Sequence, residues 1–438
     1  MHWRTKFDDL PRDRVTLQRA TVPVCLVDGD ALAGDAEGLV LVDIEIAEGR
    51  IAAITAAGTK PTTAPSIDLD RGMVWPGFVE CHTHLDKGHI WPRASNPNGS
   101  FQGALETVMA DRAANWSASD LMPRMEFALR CAYAHGTTAI RTHLDSRIEQ
   151  THITWPVYAE LKDRWRDRIQ LDASPLFPID LALDDIHMSD VTAAIAAHGQ
   201  TLGAVTYMTP NLAAGIDRLF RVASDRGWNL DFHVDESLDS TATSLRTIAE
   251  TALRYRFQGQ VLVGHCCSLS VQPESEVAAT MDLMAKSNIA VVSLPMCNMY
   301  LQDRHAGRTP RGRGVTLLHE LRARGIKVAV ASDNTRDPFY AYGDLDALEV
   351  FREAVRIAHL DHPFGEWSGA ITRVPADIMG FFGHGRIARG AAADLVSMPA
   401  RTWTELLSRP QSNRAVLRSG RLIGADLPDY RELDPLFG

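Results

Sequence analysis

Between residues 73 and 376 the chain repeats one pattern, in which a short, almost wholly apolar run is followed by a longer stretch with helical spacing of its apolar residues. A strand that alternates with a helix in this way indicates a parallel sheet, and continuous apolar runs are typical of strands covered on both faces. Eight runs occur, which predicts an α/β protein built on a (β/α)8 TIM barrel. They lie at 77–85, 137–144, 169–176, 202–208, 230–235, 261–266, 289–294 and 326–332.

The two ends of the chain have a different pattern, with short β-branched runs separated by turn residues. Residues 42–46 alternate apolar and acidic side chains, which is typical of a half-buried antiparallel strand. Near the other end, 394–398 and 415–418 have strand composition, and a turn sequence follows at 419–421. We therefore predict a small flanking β-sandwich built from both chain ends. The predicted domains are 1–72 and 377–438 for the sandwich and 73–376 for the barrel.

Composition excludes several classes of partner. The chain has 438 residues, with 45 Lys and Arg against 55 Asp and Glu, so its net charge of -10 argues against binding a nucleic acid polymer. No apolar stretch approaches the roughly 18 residues that cross a bilayer, and residues 1–14 lack an apolar signal core. The six cysteines are scattered along the chain, which is typical of a protein in a reducing compartment, so we predict a cytoplasmic location. We also predict that the protein has no membrane partner. The sequence also allows a homo-oligomer.

The strongest chemical signal lies at the end of the first predicted barrel strand, where His82 and His84 are separated by one residue. Side chains two apart on a strand point to the same side, so both imidazoles would face the mouth of the barrel. Two neutral imidazoles this close form a chelating pair for a borderline metal ion such as Zn²⁺ or Fe²⁺. Taken alone, such a pair is more often two polar residues at a strand end than a metal site.

Other predicted strands also end in polar groups that suit a metal site. His233 and Glu236 follow the fifth strand, His265 ends the sixth, and Asp333 follows the eighth. Barrel enzymes place their catalytic groups at this rim. Buried imidazoles and carboxylates are costly unless they are paired or bound to metal. Separate, satisfied polar residues explain this set less well than a shared metal site.

These motifs resemble those of the amidohydrolase superfamily, and more narrowly its cytosine deaminase-like branch, which also contains enzymes acting on triazine rings. The resemblance covers nearly the whole chain and rests on Pro-Gly-Phe-Val-Glu-Cys-His-Thr-His-Leu-Asp at 76–86, His-Val-Asp-Glu at 233–236, Gly-His at 264–265 and Ser-Asp-Asn-Thr-Arg-Asp-Pro-Phe at 332–339. It implies that one divalent metal ion, zinc or iron, is bound by four residues. These are His82, His84, His233 and Asp333.

The resemblance also implies the catalytic roles. Glu236 would shuttle protons without binding metal, His265 would hydrogen-bond to the attacking hydroxide or the ring, and Asp333 would accept a proton during attack. A metal ion lowers the pKa of bound water from about 15.7 to roughly 7, which supplies the nucleophile. No lysine occurs in 202–210 to bridge a second ion, which favours a mononuclear site.

The implied function is hydrolytic cleavage of a C–N bond on a small nitrogen heterocycle, such as a cytosine-like aminopyrimidine or an aminotriazine. The enzyme would be a deaminase-like hydrolase of carbon-nitrogen bonds other than peptide bonds. One alternative is ring-opening hydrolysis of a cyclic amide or imide, which would release no ammonia or amine. Another is a barrel that binds metal or ligand without turnover, although Glu236 argues against it.

Two positions depart from the cytosine pattern. Leu176 stands where that branch usually has a glutamine that reads the pyrimidine amide edge, and Asn334 replaces a frequent second aspartate. A pocket without those partners should lose affinity for cytosine, so we expect a larger, less polar or N-alkylated ring. We expect Leu176, Asn334, Phe339 and Phe101 to contact the substrate. Further candidates for shaping the pocket are His143, Asn298, Tyr300, Gln302 and Arg304.

Overall fold

A computed structural model describes residues 3–11, 13–29, 32–59, 64–424 and 426–437. In these ranges the strands are β1 Arg14–Pro23, β2 Val27–Asp28, β3 Leu39–Ala47, β4 Arg50–Ala56, β5 Ser66–Asp68, β6 Met73–Pro76, β7 Phe78–Thr83, β8 Thr137–Asp145, β9 Gln170–Leu176, β10 Thr201–Thr206, β11 Asn229–Val234, β12 Val261–His265, β13 Ile289–Ser293, β14 Val328–Val330, β15 Ile387–Ala388, β16 Leu395–Met398, β17 Ala415–Arg418 and β18 Arg421–Leu422.

The α-helices are α1 Phe101–Asn115, α2 Ala118–His135, α3 Ile148–Trp165, α4 Asp185–His198, α5 Leu212–Arg226, α6 Ser244–Tyr255, α7 Glu274–Lys286, α8 Pro295–Leu301, α9 Leu318–Ala323, α10 Ala347–Ala358, α11 Arg373–Met379 and α12 Trp403–Ser408. Short 3-10 helices occur at Trp3–Phe7, Val24–Leu26, Ile179–Leu183, Cys267–Val271, Trp367–Ile371 and Tyr430–Leu436. No helix in the described ranges combines the length and apolar character needed to cross a membrane.

The chain forms two compact units. The first contains residues 1–79, 130–139 and 346–427, and the second contains 80–129, 140–345 and 428–438. In the first unit, strands from both chain ends lie in one eight-stranded sheet with the order β18-β17-β16-β6-β1-β3-β4, and β5 pairs with β1. β2 and β15 form a separate parallel pair. Apolar side chains from both chain ends share one buried cluster, for example Val42, Ile44, Leu395 and Leu417.

One acidic residue of β3 is buried although the alternating pattern places it on the exposed face. Oδ1 of Asp43 accepts a hydrogen bond from the backbone N of Arg19 at 2.9 Å, and Oδ2 accepts one from that of Gly58 at 3.0 Å. The pairing of β1 with β3 shifts register between Leu17 and Ala20, and Arg19 there adopts a left-handed φ of 53°. A bulge leaves a backbone donor unpaired, and the carboxylate satisfies it.

A buried ion pair stabilises the start of α10 in the same unit. Asp346 lies before the helix and receives two hydrogen bonds from the Arg414 guanidinium, at 2.7 and 2.6 Å, and one from the backbone N of Leu348 at 3.0 Å. Burial by itself would raise the pKa of Asp346, but Arg414 and His135 outweigh it and lower the pKa to about 2. The ionised carboxylate is therefore favoured in the folded state.

We expect Asp346→Asn to lower the free energy of unfolding at pH 7 by at least about 2 kcal/mol, since a pKa depressed from 3.8 to about 2 corresponds to that much linkage. The contribution is complete above the unfolded-state pKa and is lost as the pH falls from about 4 towards 2. Denaturant unfolding should therefore be measured between pH 7 and pH 3. The difference in the free energy of unfolding between wild type and D346N should stay constant down to about pH 5 and shrink at lower pH.

The control is Asp426→Asn, which breaks a surface pair between Arg4 and an aspartate that is 87% exposed. Exposed pairs contribute roughly 0–1 kcal/mol, so this variant should unfold almost like the wild type. Equal stability of D346N and D426N at pH 7 would show that the Asp346–Arg414 pair does not stabilise the fold.

The second unit carries the strand–helix alternation. Each of the eight predicted runs overlaps one strand from β7 to β14. Strands β7, β8 and β9 form a three-stranded sheet, and β10 to β14 form a five-stranded sheet in which neighbouring strands are parallel. Single parallel bridges join Pro178 to Val205 and Thr83 to Asp333. The inner strands are fully buried, as in β12 and β13, which explains their continuous apolar runs. This confirms a mixed α/β fold consistent with a TIM barrel.

Candidate active site

Four side chains from three distant segments converge at the ends of strands in the second unit. His82 lies on β7, His84 follows it, His233 lies on β11, and Asp333 follows β14; all four are buried. Nε2 of His84 is 3.2 Å from Oδ1 of Asp333 and 3.2 Å from Nε2 of His233. Nε2 of His82 lies 3.6 Å from the same carboxylate oxygen. These distances between side-chain nitrogen and oxygen atoms are those expected when the atoms surround one small ion.

The backbone holds β7 and the segment after β14 together at this point. The backbone N of Asp333 donates to the carbonyl of His82 at 2.9 Å, and the backbone N of His84 donates to the carbonyl of Asp333 at 3.3 Å. Glu80 reinforces this contact, because its carboxylate accepts from the backbone N of His82 at 3.0 Å and of Ser332 at 2.9 Å. Burial raises the pKa of Glu80 to about 7.

Two residues at the ends of strands near the cluster, Asp333 and His265, have a strained backbone conformation. Asp333 has a φ of 62° and His265 a φ of 68°, both in the left-handed region that non-glycine residues rarely adopt. Such conformations cost on the order of 1–3 kcal/mol and persist where surrounding structure imposes them. Both residues have donor atoms within 4.8 Å of those of His82 and His233.

The electrostatics of the cluster suit a cation. Burial is the main cause that lowers the pKa of His82, His84 and His233 well below the usual range, so the imidazoles are neutral, the form that binds metal. Burial also raises the pKa of Asp333 to about 7, and it outweighs the opposing effects of the Cys297 thiol and the Lys87 charge.

Unpaired polar atoms test whether these residues fit a metal ion. Among the described residues, both ring nitrogens of His82 and Nδ1 of His233 have no hydrogen-bond partner, although all are buried. One donor atom each from His82, His233, His265 and Asp333 lies within 4.8 Å of the others, and the same is true of His82, His84, His143 and His233. This imidazole-rich set fits a borderline divalent ion and forms a buried His/Asp metal site.

Glu236 and His265 lie beside this cluster and contact the same neighbour. Nδ2 of Asn298 donates to Oε1 of Glu236 at 3.2 Å and lies 3.0 Å from Nδ1 of His265. Burial, followed by the charge of Asp333, raises the pKa of Glu236 well above its usual range. Burial lowers the pKa of His265 to about 3, so its ring is neutral.

A lysine next to the metal cluster was not singled out as a site residue by the sequence analysis. Nζ of Lys87 forms an ion pair with Oδ1 of Asp145 at 2.8 Å and lies 3.2 Å from Nδ1 of His84. Arg112 binds the other oxygen of Asp145 at 2.5 Å. Burial lowers the pKa of Lys87, but Asp145 and Asp86 raise it by more, so the lysine stays charged. The sequence suggests Lys87 only as an ion-pair partner of the adjacent Asp86 or as part of a surface pair, whereas Asp145, its partner in the structure, is 58 residues away in the chain.

His143 contacts the cluster but is not among the residues that line the cavity. Its ring centroid is 4.1 Å from that of His82, and its Nε2 is 3.2 Å from Oδ1 of Asp231, which also forms an ion pair with Arg141. All of these side chains are buried. His143 therefore connects the histidine cluster to the buried Asp231–Arg141 pair.

A cavity of about 660 Å³ opens above the cluster. The four residues that the sequence analysis expects to contact substrate all line it, together with Glu236, His265 and Lys87. They are Leu176, Asn334, Phe339 and Phe101. Asn96 donates to the carbonyls of Ser100 and Pro338 at 2.9 and 3.0 Å, which brings α1 close to the 338–339 turn. The rings of Phe101 and Phe339 therefore lie 5.5 Å apart.

Asn334 is only partly available to a ligand. Its Nδ2 donates to Oδ2 of Asp337 at 2.7 Å, and Sγ of Cys297 lies 3.7 Å from its Oδ1. The other oxygen of Asp337 accepts from the backbone N of Phe339 at 2.8 Å. Asn334 therefore also orders the turn that carries Phe339.

The fold and site are those of a hydrolase family, and residues 155–423 match the model described as "Amidohydrolase family". The chain belongs to this family, whose members are metal-dependent, and it is a hydrolase acting on carbon-nitrogen bonds. It is 55% identical to a pterin deaminase of Rhizobium rhizogenes (strain K84) over 425 residues, which cover 97% of each chain.

Two solved structures, both of deaminating or aminohydrolysing enzymes by name, have a similar fold. A 5-methylcytosine deaminase from Klebsiella pneumoniae with 5-fluorocytosine matches with a TM-score of 0.81 and 22% identity, covering 94% of this chain and 98% of that one. An N-isopropylammelide isopropylaminohydrolase from Burkholderia multivorans matches with a TM-score of 0.75 and 24% identity over the same shares. These two likenesses show the fold.

Proposed function

We propose that the protein hydrolyses the exocyclic amino group of a pterin, a 2-amino-4-oxopteridine, and releases ammonia with the two rings intact. The observation that carries this proposal is the 55% identity to a pterin deaminase over 97% of both chains. A two-ring substrate also agrees with the expectation, based on Leu176 and Asn334, of a ring larger or less polar than cytosine.

The cavity supports a heterocycle of this kind. Its volume of about 660 Å³ lies within the roughly 300–1,000 Å³ common for small-molecule sites. Phe101, Leu176 and Phe339 supply apolar surface for a flat ring, while Glu236 and His265 offer polar atoms beside the metal cluster. We propose that the ring lies between these walls with its amino-bearing carbon towards the cluster.

In this proposal His82, His84, His233 and Asp333 hold one divalent ion, zinc or iron. When bound, such an ion supplies Lewis-acid activation of the water that attacks the substrate. The site's neutral imidazoles and the raised pKa of Asp333 support this assignment, because a cation would offset the cost of burying that carboxylate.

The protein residues supply the proton transfers. Water adds oxygen to the amino-bearing carbon, and the C–N bond to the amino group then breaks. Glu236 moves one water proton to the neighbouring ring nitrogen, and Asp333 accepts the second and returns it to the departing amine, which leaves as ammonia. The raised pKa of Glu236 lets it carry a proton near neutral pH. His265 hydrogen-bonds to the oxygen that is added.

We expect metal-loaded protein to release one ammonia for each pterin consumed and to give the corresponding 2,4-dioxopteridine. A coupled ammonia assay and mass spectrometry of the product measure this. The panel should also contain cytosine, aminotriazines and cyclic imides at the same concentration. Ring opening would give a product that contains one added water molecule and every nitrogen atom of the substrate, whereas deamination gives a product in which oxygen replaces the amino group.

Activity on cytosine or an aminotriazine but on no pterin would replace the proposed substrate class. Binding of pterin without any product, at full metal content, would instead favour a ligand-binding barrel. Either result would leave the fold and family unchanged.

Finer features of the architecture and setting also remain proposals. The bridges from Pro178 to Val205 and from Thr83 to Asp333 support closure of β7 to β14 into a (β/α)8 barrel. The shared cluster of apolar residues from both chain ends supports a flanking β-sandwich. The domain limits 1–72, 73–376 and 377–438, a cytoplasmic location and a homo-oligomer stay predictions.

A further inference from the structure

Asn298, in the short helix α8, lies between the two residues proposed to act on the substrate. Its Nδ2 is 3.2 Å from Oε1 of Glu236 and 3.0 Å from Nδ1 of His265. The side chain is completely buried. A single amide group therefore links the proposed proton carrier to the proposed hydrogen-bonding histidine.

The chemistry of the carboxylate fixes which end of the amide faces these groups. When Glu236 is ionised, as it must be to take a proton from water, its carboxylate only accepts hydrogen bonds, so the NH₂ group of Asn298 points to Glu236 because the amide oxygen would be repelled. Oδ1 of Asn298 then lies on the other side, where it has no hydrogen-bond partner among the described residues. The NH₂ group has two hydrogens, one for Glu236 and one for His265.

This orientation determines the tautomer of His265. Nδ1 of His265 lies 3.0 Å from Nδ2 of Asn298 and 3.4 Å from Oε1 of Glu236, so the shorter contact is the one with the amide. With Nδ1 accepting the second N–H of Asn298, the single proton of the neutral ring is on Nε2. Nε2 is buried and has no hydrogen-bond partner among the described residues. One ring nitrogen of His265 lies within 4.8 Å of donor atoms of His82, His233 and Asp333. The Nε2–H group is therefore free to donate to a substrate atom.

A second amide of the same segment holds Glu236 from its backbone. Nε2 of Gln302 donates to the carbonyl oxygen of Glu236 at 3.2 Å. Gly314, with a φ of 72°, packs so tightly on Gln302 that a Cβ there would come within 2.3 Å of the Cβ of Gln302. Asn298 and Gln302 are four residues apart, so one side of this segment contacts both the side chain and the backbone of Glu236.

We propose that Asn298 is a positioning residue that orients the Glu236 carboxylate and holds His265 in the Nε2–H tautomer. The inference rests on the proposed function, because it assigns Asn298 an effect through Glu236 and His265. It concerns hydrogen-bond direction, so it can be tested without substrate as well as with it.

The test compares Asn298→Asp and Asn298→Leu with the wild-type holoenzyme. Leu keeps most of the volume but donates no hydrogen bond. Asp keeps the shape but presents acceptors to both neighbours, which favours a proton on Nδ1 of His265 and repels Glu236. We expect kcat for pterin to fall about 30-fold in N298L and further in N298D, with KM changed less than about threefold, because the bonds lost involve a charged group that acts in the transition state.

Nitrogen NMR of protein labelled with [¹⁵N]histidine supplies a readout independent of activity. The ring nitrogens of His265, assigned by their loss in His265→Gln, should show protonated Nε2 and unprotonated Nδ1 in the zinc-loaded wild type. The pattern should reverse in N298D. The matched control is Met299→Ala, because Met299 is the next residue of the same helix and is 46% exposed, so it should change neither kcat nor the tautomer.

A proton on Nδ1 of His265 in the wild type would overturn the proposal, as would a wild-type kcat in N298L. Metal content and melting temperature measured on each variant separate positioning from loss of the fold; if N298L does not fold, N298D carries the test. Absence of pterin deamination by the wild type would refute the proposed function, while the tautomer would still decide the role of Asn298.

Discussion

Glu236→Gln is expected to lower kcat for ammonia release by roughly 10²- to 10⁴-fold, the range found for loss of a general acid–base. Gln has nearly the shape of Glu and can still accept the hydrogen bond that Asn298 donates to Oε1. It cannot take a proton from water at neutral pH, so transfer to the ring nitrogen should fail while the cavity keeps its form. Steady-state kinetics on pterin and elemental metal analysis of the same preparation measure both effects.

Metal content should stay at the wild-type level in E236Q, because Glu236 is not among the four proposed ligands. The matched control is Glu250→Gln, which makes the same chemical change at an exposed glutamate of α6 that pairs with Arg246 at 3.0 Å. It should retain almost full activity. A rate in E236Q within threefold of the wild type would remove Glu236 from the mechanism.

His82→Ala is expected to lose both metal and turnover. Among the described residues both ring nitrogens of His82 lack a hydrogen-bond partner, and Nε2 lies 3.6 Å from Asp333, so its removal takes away one of the four proposed donors. Changes to groups that only orient ligands weaken metal binding by roughly 10- to 100-fold, and loss of a ligand itself should exceed that. Elemental analysis after dialysis and competition with a chromogenic chelator measure the loss.

The control for this variant is His152→Ala, which removes a histidine whose side chain is 66% exposed and lies in α3. It should keep its metal and its rate. Full metal occupancy in H82A after dialysis would contradict the ligand assignment, whereas loss of metal in both variants would point to damage from preparation rather than to a specific site.

The sequence was sufficient to predict the residues that end the strands, for a physical reason. Buried parallel strands are apolar, so His82, His233 and Asp333 stand out at the ends of their runs, and strand geometry sends such ends to one edge. The structure brings their donor atoms together within 4.8 Å with one from His265. Their chemical roles remain proposals that the variants above test.

Pairings between segments could not be predicted in the same way. Lys87 contacts Asp145, Asn298 contacts Glu236, and the buried Asp43 accepts from Arg19. Each partner depends on how separate elements pack, and a polar side chain gives no sign in the sequence of which distant group it will meet. The bulge that buries Asp43 likewise follows from strand register, which alternation alone does not specify.

The contact between Thr83 and Asp333 spans 250 residues of chain. At roughly 5–20 residues per second, a ribosome needs on the order of 10 to 50 seconds to make that stretch. In a nascent chain His82 and His84 are therefore synthesised well before Asp333, and the cluster cannot form until Asp333 has been added. Assembly of this cluster is consequently a late event in biosynthesis. Chains truncated before Asp333 would contain the histidines of the cluster but would lack its carboxylate.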